Sequence, residues 1–187
     1  MKISLLQAVY NPGFYKRSGF TIVELLIVIV VIAILAAITI VAYNGVQARA
    51  KNAQTVQAVT QWVKAVKMYN LDTDTWPTGT SCLGDIDTYQ GDAGACWSNG
   101  AYVANSTFIN FIKPYMGNKA AIPALDKIET TASGVWTRGG RYDNSGGTHS
   151  VYFVQQGVNV CPKISGLDNT YQSTYSNGNA QCGGSIL

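Results

Sequence analysis

Residues Leu25 to Tyr43 form an apolar run of 19 residues with no charged side chain, and Glu24 stands at its mouth. As a helix, such a run is long enough to cross a bilayer core of roughly 30 Å. It holds 13 Leu, Ile or Val residues. At about −0.3 to −0.6 kcal/mol each, they contribute roughly −4 to −8 kcal/mol on an insertion scale. One acidic residue costs about 3 kcal/mol at the bilayer centre and less near the edge, where Glu24 sits. The run therefore inserts with Glu24 present. An ordinary secretory signal places its small-residue cleavage site after the apolar segment. Here the small residue Gly19 and the basic pair Lys16-Arg17 both precede it.

Gly19-Phe20-Thr21-Ile22-Val23-Glu24-Leu25-Leu26, behind Lys16-Arg17, resembles the processing site of a type IV prepilin. The features that carry the resemblance are the basic pair, the Gly-Phe junction, Glu five positions past the Gly, and the apolar helix. A plain signal anchor would leave the Gly-Phe and the Glu spacing unexplained. The resemblance covers residues 16–70 closely and is architectural beyond. It implies that a prepilin peptidase cuts after Gly19 and that the new N-terminal Phe20 is N-methylated. It also implies that Glu24 acts in assembly. A carboxylate entering an apolar filament centre needs a positive partner, because unpaired burial costs several kcal/mol. Cleavage creates one, the Phe20 amine, which an incoming subunit could present to Glu24. Many pilins carry a helix-breaking Pro inside the apolar run, whereas this chain has none between Pro12 and Pro77.

The chain is expected to divide into a removed leader at 1–19, a membrane and filament-core helix at 20–45, an amphipathic helix at 46–70 and a globular head at 71–187. Val56, Val59, Val63 and Val66 follow 3-4-3 spacing, with Trp62 and Tyr69 extending that stripe. Gly45 is the expected weak point, since Gly costs about 1 kcal/mol in a helix interior relative to Ala. Without the leader's Lys2, Lys16 and Arg17, ten basic and ten acidic side chains remain. That balance argues against nucleic-acid binding driven by net charge. The charges are uneven, however. Arg49, Lys51, Lys64 and Lys67 put +4 on residues 44–70, and residues 71–187 carry six basic and nine acidic groups, for −3. Solvated faces account for this pattern, and so does docking of basic stems on acidic heads of neighbouring subunits.

The four cysteines, Cys82, Cys96, Cys161 and Cys182, all follow the apolar run. An even number behind an export signal reads as two disulfides in an oxidising, extracytoplasmic compartment. Three connectivities are possible; Cys82 with Cys96 and Cys161 with Cys182 closes the shortest loops. Zinc is disfavoured, because there is no Cys-x-x-Cys pair and His149 is the one histidine. Asp85, Asp87 and Asp92 invite a calcium reading, but their spacing does not match an EF-hand loop and lacks its closing Glu. A short helix capped by Asn105-Ser106 and running towards Tyr115 is expected. Strands are expected over 135–142, 150–155 and 158–164, with turns at Gly139-Gly140 and Gly146-Gly147. The stretch 166–184 reads as a loop pinned by Cys182. The fold class is α+β: a long N-terminal helix packed on a small antiparallel sheet, with a disulfide-closed C-terminal loop.

No catalytic set or cofactor site is legible. His149 lacks a positioned nucleophile and an orienting acid, no phosphate-binding glycine pattern exists, and His149 beside Gly146-Gly147 reads as an exposed loop residue. The expected function is a structural pilus subunit, not an enzyme. Its implied partners are other pilin subunits, the prepilin peptidase, the inner-membrane assembly machinery and the membrane before assembly, with an extracellular filament serving adhesion, motility or capture of DNA. A secretion-system pseudopilin or minor pilin is the alternative within the family. A membrane-anchored extracytoplasmic binding domain that never polymerises is the alternative outside it.

Overall fold

The computed structural model describes residues 19–84, 89, 95–97, 102–117, 127–128, 137–175 and 178–187, except the side chains of a few helix and strand residues such as 41, 42 and 44. The chain forms two compact units, Met1–Tyr43 and Asn44–Leu187. Helix α1 runs Ile22–Thr73. In the first unit it is apolar on every side, and residues 22–40 are all exposed. It is long and apolar enough to cross a membrane.

In the second unit α1 is amphipathic. Val59, Trp62, Val63 and Val66 are buried, as the 3-4-3 spacing requires, while Gln57, Gln61, Lys64 and Met68 face outward. The helix ends at Asp74, which takes the left-handed conformation at φ 54°, a stop usually made by Gly or Asn. Asn52 fixes the helix lengthwise against the sheet. Its Nδ2 donates to Gln156 O at 2.7 Å and its Oδ1 accepts from Gln156 N at 2.9 Å. Gln155 Nε2 donates to Asn52 O at 3.1 Å.

The short helix α2, Ser106–Ile112, begins at Asn105, whose side chain accepts from the amides of Thr107 and Phe108. Pro114 then converts the chain to a 3-10 turn over Lys113–Met116, because it cannot supply an amide to a continuing helix. The strands are β1 (Ser81–Cys82), β2 (Lys127–Ile128), β3 (Thr137–Arg138), β4 (Gly140–Asp143), β5 (Ser150–Gln155), β6 (Tyr171–Thr174) and β7 (Ala180–Ser185). Five form an antiparallel sheet in the order β1-β4-β5-β7-β6, and β2 pairs with β3 separately. The inner face presents Tyr142, Val151 and Phe153 to α1 and α2, where Trp62 stacks on Phe108 at 6.1 Å and Phe108 on Tyr142 at 4.8 Å.

Two expectations about the end of the chain are corrected. Residues 158–164 form no strand. Side chains meet part of their polar backbone instead, with Gln172 accepting from Cys161 N at 2.9 Å and donating to Asn159 O at 2.9 Å, and Asn169 accepting from Ile164 N and donating to Ile164 O. The stretch 166–184 is not a loop throughout. It holds β6 and most of β7, and β7 lies inside the sheet, paired to β5 over six residues and to β6 over four. Gly183 and Gly184 are there for close approach: a Cβ on Gly183 would overlap Val151 O, and one on Gly184 would overlap Asp168 Oδ1. Cys161 is joined to Cys182 and Cys82 to Cys96, with Cα separations of 5.5 and 5.7 Å.

Candidate assembly site at the helix N-terminus

Three hydrogen bonds between Thr21 and Glu24 define the start of α1. Thr21 N donates to Glu24 Oε2 at 2.8 Å, Thr21 Oγ1 donates to the same oxygen at 2.8 Å, and Glu24 N donates back to Thr21 Oγ1 at 3.2 Å. This is a capping box. Thr21 is the N-cap and Glu24 the third helical residue, and each satisfies an amide that the helix itself cannot. The Thr-x-x-Glu spacing that signals it stands in the sequence, so Thr21 is a site residue that the charge-and-hydropathy reading missed. The negative carboxylate also complements the positive end of the helix dipole. Glu24 Oε1 accepts no hydrogen bond among the described residues, so half of the carboxylate stays open to an outside donor.

Gly19 precedes the helix in non-helical, exposed chain, and nothing lies within 4 Å of where its Cβ would be. Phe20 is 79% exposed. The Gly19–Phe20 bond therefore sits on accessible, non-helical backbone one turn from Glu24. Lys16 and Arg17 lie outside the described residues, as do Asp85, Asp87 and Asp92. Helix α1 continues through Asn44 and Gly45, close to the division between the two units.

In the head, His149 is not the exposed loop residue expected from its glycine neighbours. It is half-buried and stacks on Trp76 at 4.4 Å. Tyr142 OH lies 3.2 Å from Pro77 O and 3.0 Å from His149 Nδ1. With its one proton given to Pro77, Tyr142 accepts from Nδ1–H, and Nε2 is left as the nitrogen that takes up a further proton. Burial holds the His149 pKa below its usual value and, with Asp143 nearby, raises that of Tyr142. The cluster ties the loop after α1 to β4 and is structural.

The outer face of the sheet carries a second group. The Arg141 guanidinium lies over three rings, 4.0 Å from the centre of Tyr102, 4.4 Å from Trp97 and 4.7 Å from Tyr152. Asp143 is 3.8 Å from its Nε. Trp97 adjoins the disulfide-bonded Cys96, so Arg141 holds Trp97 and Tyr102 against the outer face of the sheet.

The family described as the prokaryotic N-terminal methylation motif matches residues 15–40. The fimbrial protein EcpC of Eikenella corrodens is 33% identical over 119 residues, 64% of this chain and 69% of that protein. The type IV major pilin protein PilE1 of Neisseria gonorrhoeae is 35% identical over 68 residues, 36% of this chain and 41% of that protein. This chain belongs to the type IV pilin family. The pilin is accordingly a structural subunit of a type IV pilus, a filament of many pilin subunits. It is also 29% identical over 69 residues to the type II secretion system core protein G of Pectobacterium carotovorum subsp. carotovorum, covering 37% of this chain and 44% of that protein. The pilin thus spans well under two thirds of the last two relatives. No solved structure matches it.

Proposed function

We propose that the pilin is stored in the membrane through residues 20–45, cut after Gly19 by a prepilin peptidase and methylated on Phe20. It is then polymerised by inner-membrane machinery into an extracellular filament. The observation that carries this reading is the first unit's surface. Its described side chains up to residue 40 are exposed, and Glu24 is their one charge. A helix that is apolar all round requires lipid or other helices on every side, and a filament centre exchanges the first for the second.

Glu24 then acts in assembly. One carboxylate oxygen is held by Thr21 and the other is open. The amine freed on Phe20 of an incoming subunit is the donor of matching charge, and the pair would set axial register between apolar helices that could otherwise slide. Glu24→Gln keeps the side-chain shape and removes the charge. It should leave membrane-inserted, cleaved pilin at normal levels and reduce filaments sheared from the surface by about tenfold, the effect of roughly 1.4 kcal/mol. Normal filament yield from Glu24→Gln would refute the role. N-terminal sequencing that starts anywhere but Phe20 would refute the processing site. The similarity to a type II secretion core protein supports a second reading, a pseudopilin; surface filaments containing the wild-type chain favour the pilus subunit.

A further inference from the structure

We infer that the outward face of α1 in the second unit docks a second copy of this chain, with Arg49 of one copy meeting the Asp72 and Asp74 carboxylates at the helix end of the next. The inference rests on the filament reading and adds a specific contact to it.

The charges on this helix are sorted by position. Arg49, Lys64 and Lys67 lie along one side; Arg49 and Lys67 are 18 residues apart, about five turns at 3.6 residues each. Among the described residues none of these cations forms an ion pair with a carboxylate. Asp72 and Asp74 close the helix, both are exposed, and neither meets a cation among the described residues. Asp72 accepts a hydrogen bond from Tyr115 OH at 2.5 Å, which orients it without neutralising it. The last turn contains no basic residue, so the negative end of the helix dipole faces like charge, an arrangement that costs stability in the isolated chain. An outside cation would relieve it.

Arg49 is the cation best placed. It is exposed, its neighbours Gly45, Val46, Ala50 and Ala53 are small and exposed, and they leave the helix slim enough for close approach. Its guanidinium presents a planar fork that suits carboxylates. The two patches differ and lie at opposite ends of the same helix segment. A contact between them is heterologous, the type that repeats from copy to copy into an open filament and does not close as a dimer. Arg49 and Asp72 are 23 residues apart, so contacting copies are displaced by about 35 Å along the helix axis.

The test is charge reversal with rescue, read as filaments sheared from cells making the full chain, against pilin in the membrane fraction. Asp72→Lys with Asp74→Lys should cut filament yield by about tenfold or more, because like charges then face each other. Adding Arg49→Glu should restore it. Arg49→Cys with Asp74→Cys should give disulfide-linked ladders in oxidised filaments. Rescue by Lys64→Glu and not by Arg49→Glu would overturn the register. Undiminished yield from the doubly reversed Asp variant would overturn the contact, and loss of folded pilin from the membrane with no rescue by Arg49→Glu would assign the two carboxylates to folding instead. Absence of filaments from the wild-type chain would instead refute the filament reading beneath it.

Discussion

Removing the Arg141 side chain should release the outer layer of the head while leaving the core intact. Its guanidinium touches three ring faces at 4.0 to 4.7 Å, and its side chain is only 13% exposed. Each cation–π contact contributes about 0.5–1 kcal/mol when exposed and more when desolvated, so the three together are worth roughly 2–3 kcal/mol. Asp143 at 3.8 Å adds little, since Nε makes no hydrogen bond among the described residues. For a chain of this size each kcal/mol moves the melting midpoint by about 2–4 °C, so Arg141→Ala should lower it by roughly 4–12 °C. Arg141→Lys should recover less than half, because a compact ammonium cannot cover three ring faces at once. Thermal unfolding of detergent-held pilin, followed by near-ultraviolet circular dichroism, measures the midpoint. An Arg141→Ala midpoint within about 1 °C of wild type would refute the magnitudes used here.

Gly183→Ala should be far more damaging than Gly45→Ala. The first drives a methyl group into Val151 O, and the second meets nothing within 4 Å. Overpacking costs about 1–3 kcal/mol, whereas a helical Gly→Ala change should stabilise by up to about 1 kcal/mol; proteolysis of the two variants checks the contrast. Peptide mapping without reductant should find Cys82 with Cys96 and Cys161 with Cys182, and crossed pairs would exclude the observed fold. His149 should titrate below about 6.5, because burial depresses its pKa. Its stabilising contribution is then complete above the unfolded-state pKa and lost as pH falls through the folded one. Proton NMR of the single histidine and melting between pH 7 and 5 check both statements, and a midpoint at or above the unfolded value would refute them.

The helix was legible because burial and periodicity act together there: Val59, Val63 and Val66 repeat at helical spacing and are buried. Strand β5 was legible for a related reason, as Val151, Tyr152, Phe153 and Val154 are β-branched or aromatic. Strand β7 was not. Ala180-Gln181-Cys182-Gly183-Gly184-Ser185 has almost no strand propensity, and it is buried because small residues let β5 and Asp168 come close. Propensity describes side chains that fill space, whereas β7 is defined by space its residues leave to others. The cap on α1 was written in Thr21 and Glu24, yet the same Glu reads first as a charge beside a membrane. His149 could not be placed from its neighbours in sequence, because its environment comes from Trp76 and Tyr142, which other parts of the chain supply.

The placement of β7 also governs how the head can be built. A hairpin of β4 and β5 joins neighbouring residues and can close early. The other edge of β5 waits for residues 180–185, which reach it only after the intervening segment has looped out and returned. Contacts of such long sequence separation form slowly. Until then β5 presents an apolar strand edge of the kind that promotes pairing with the wrong chain. The sheet is therefore complete only once residues 180–185 have joined β5, and a bond formed at Cys161 before Cys182 arrives would join it to a wrong partner.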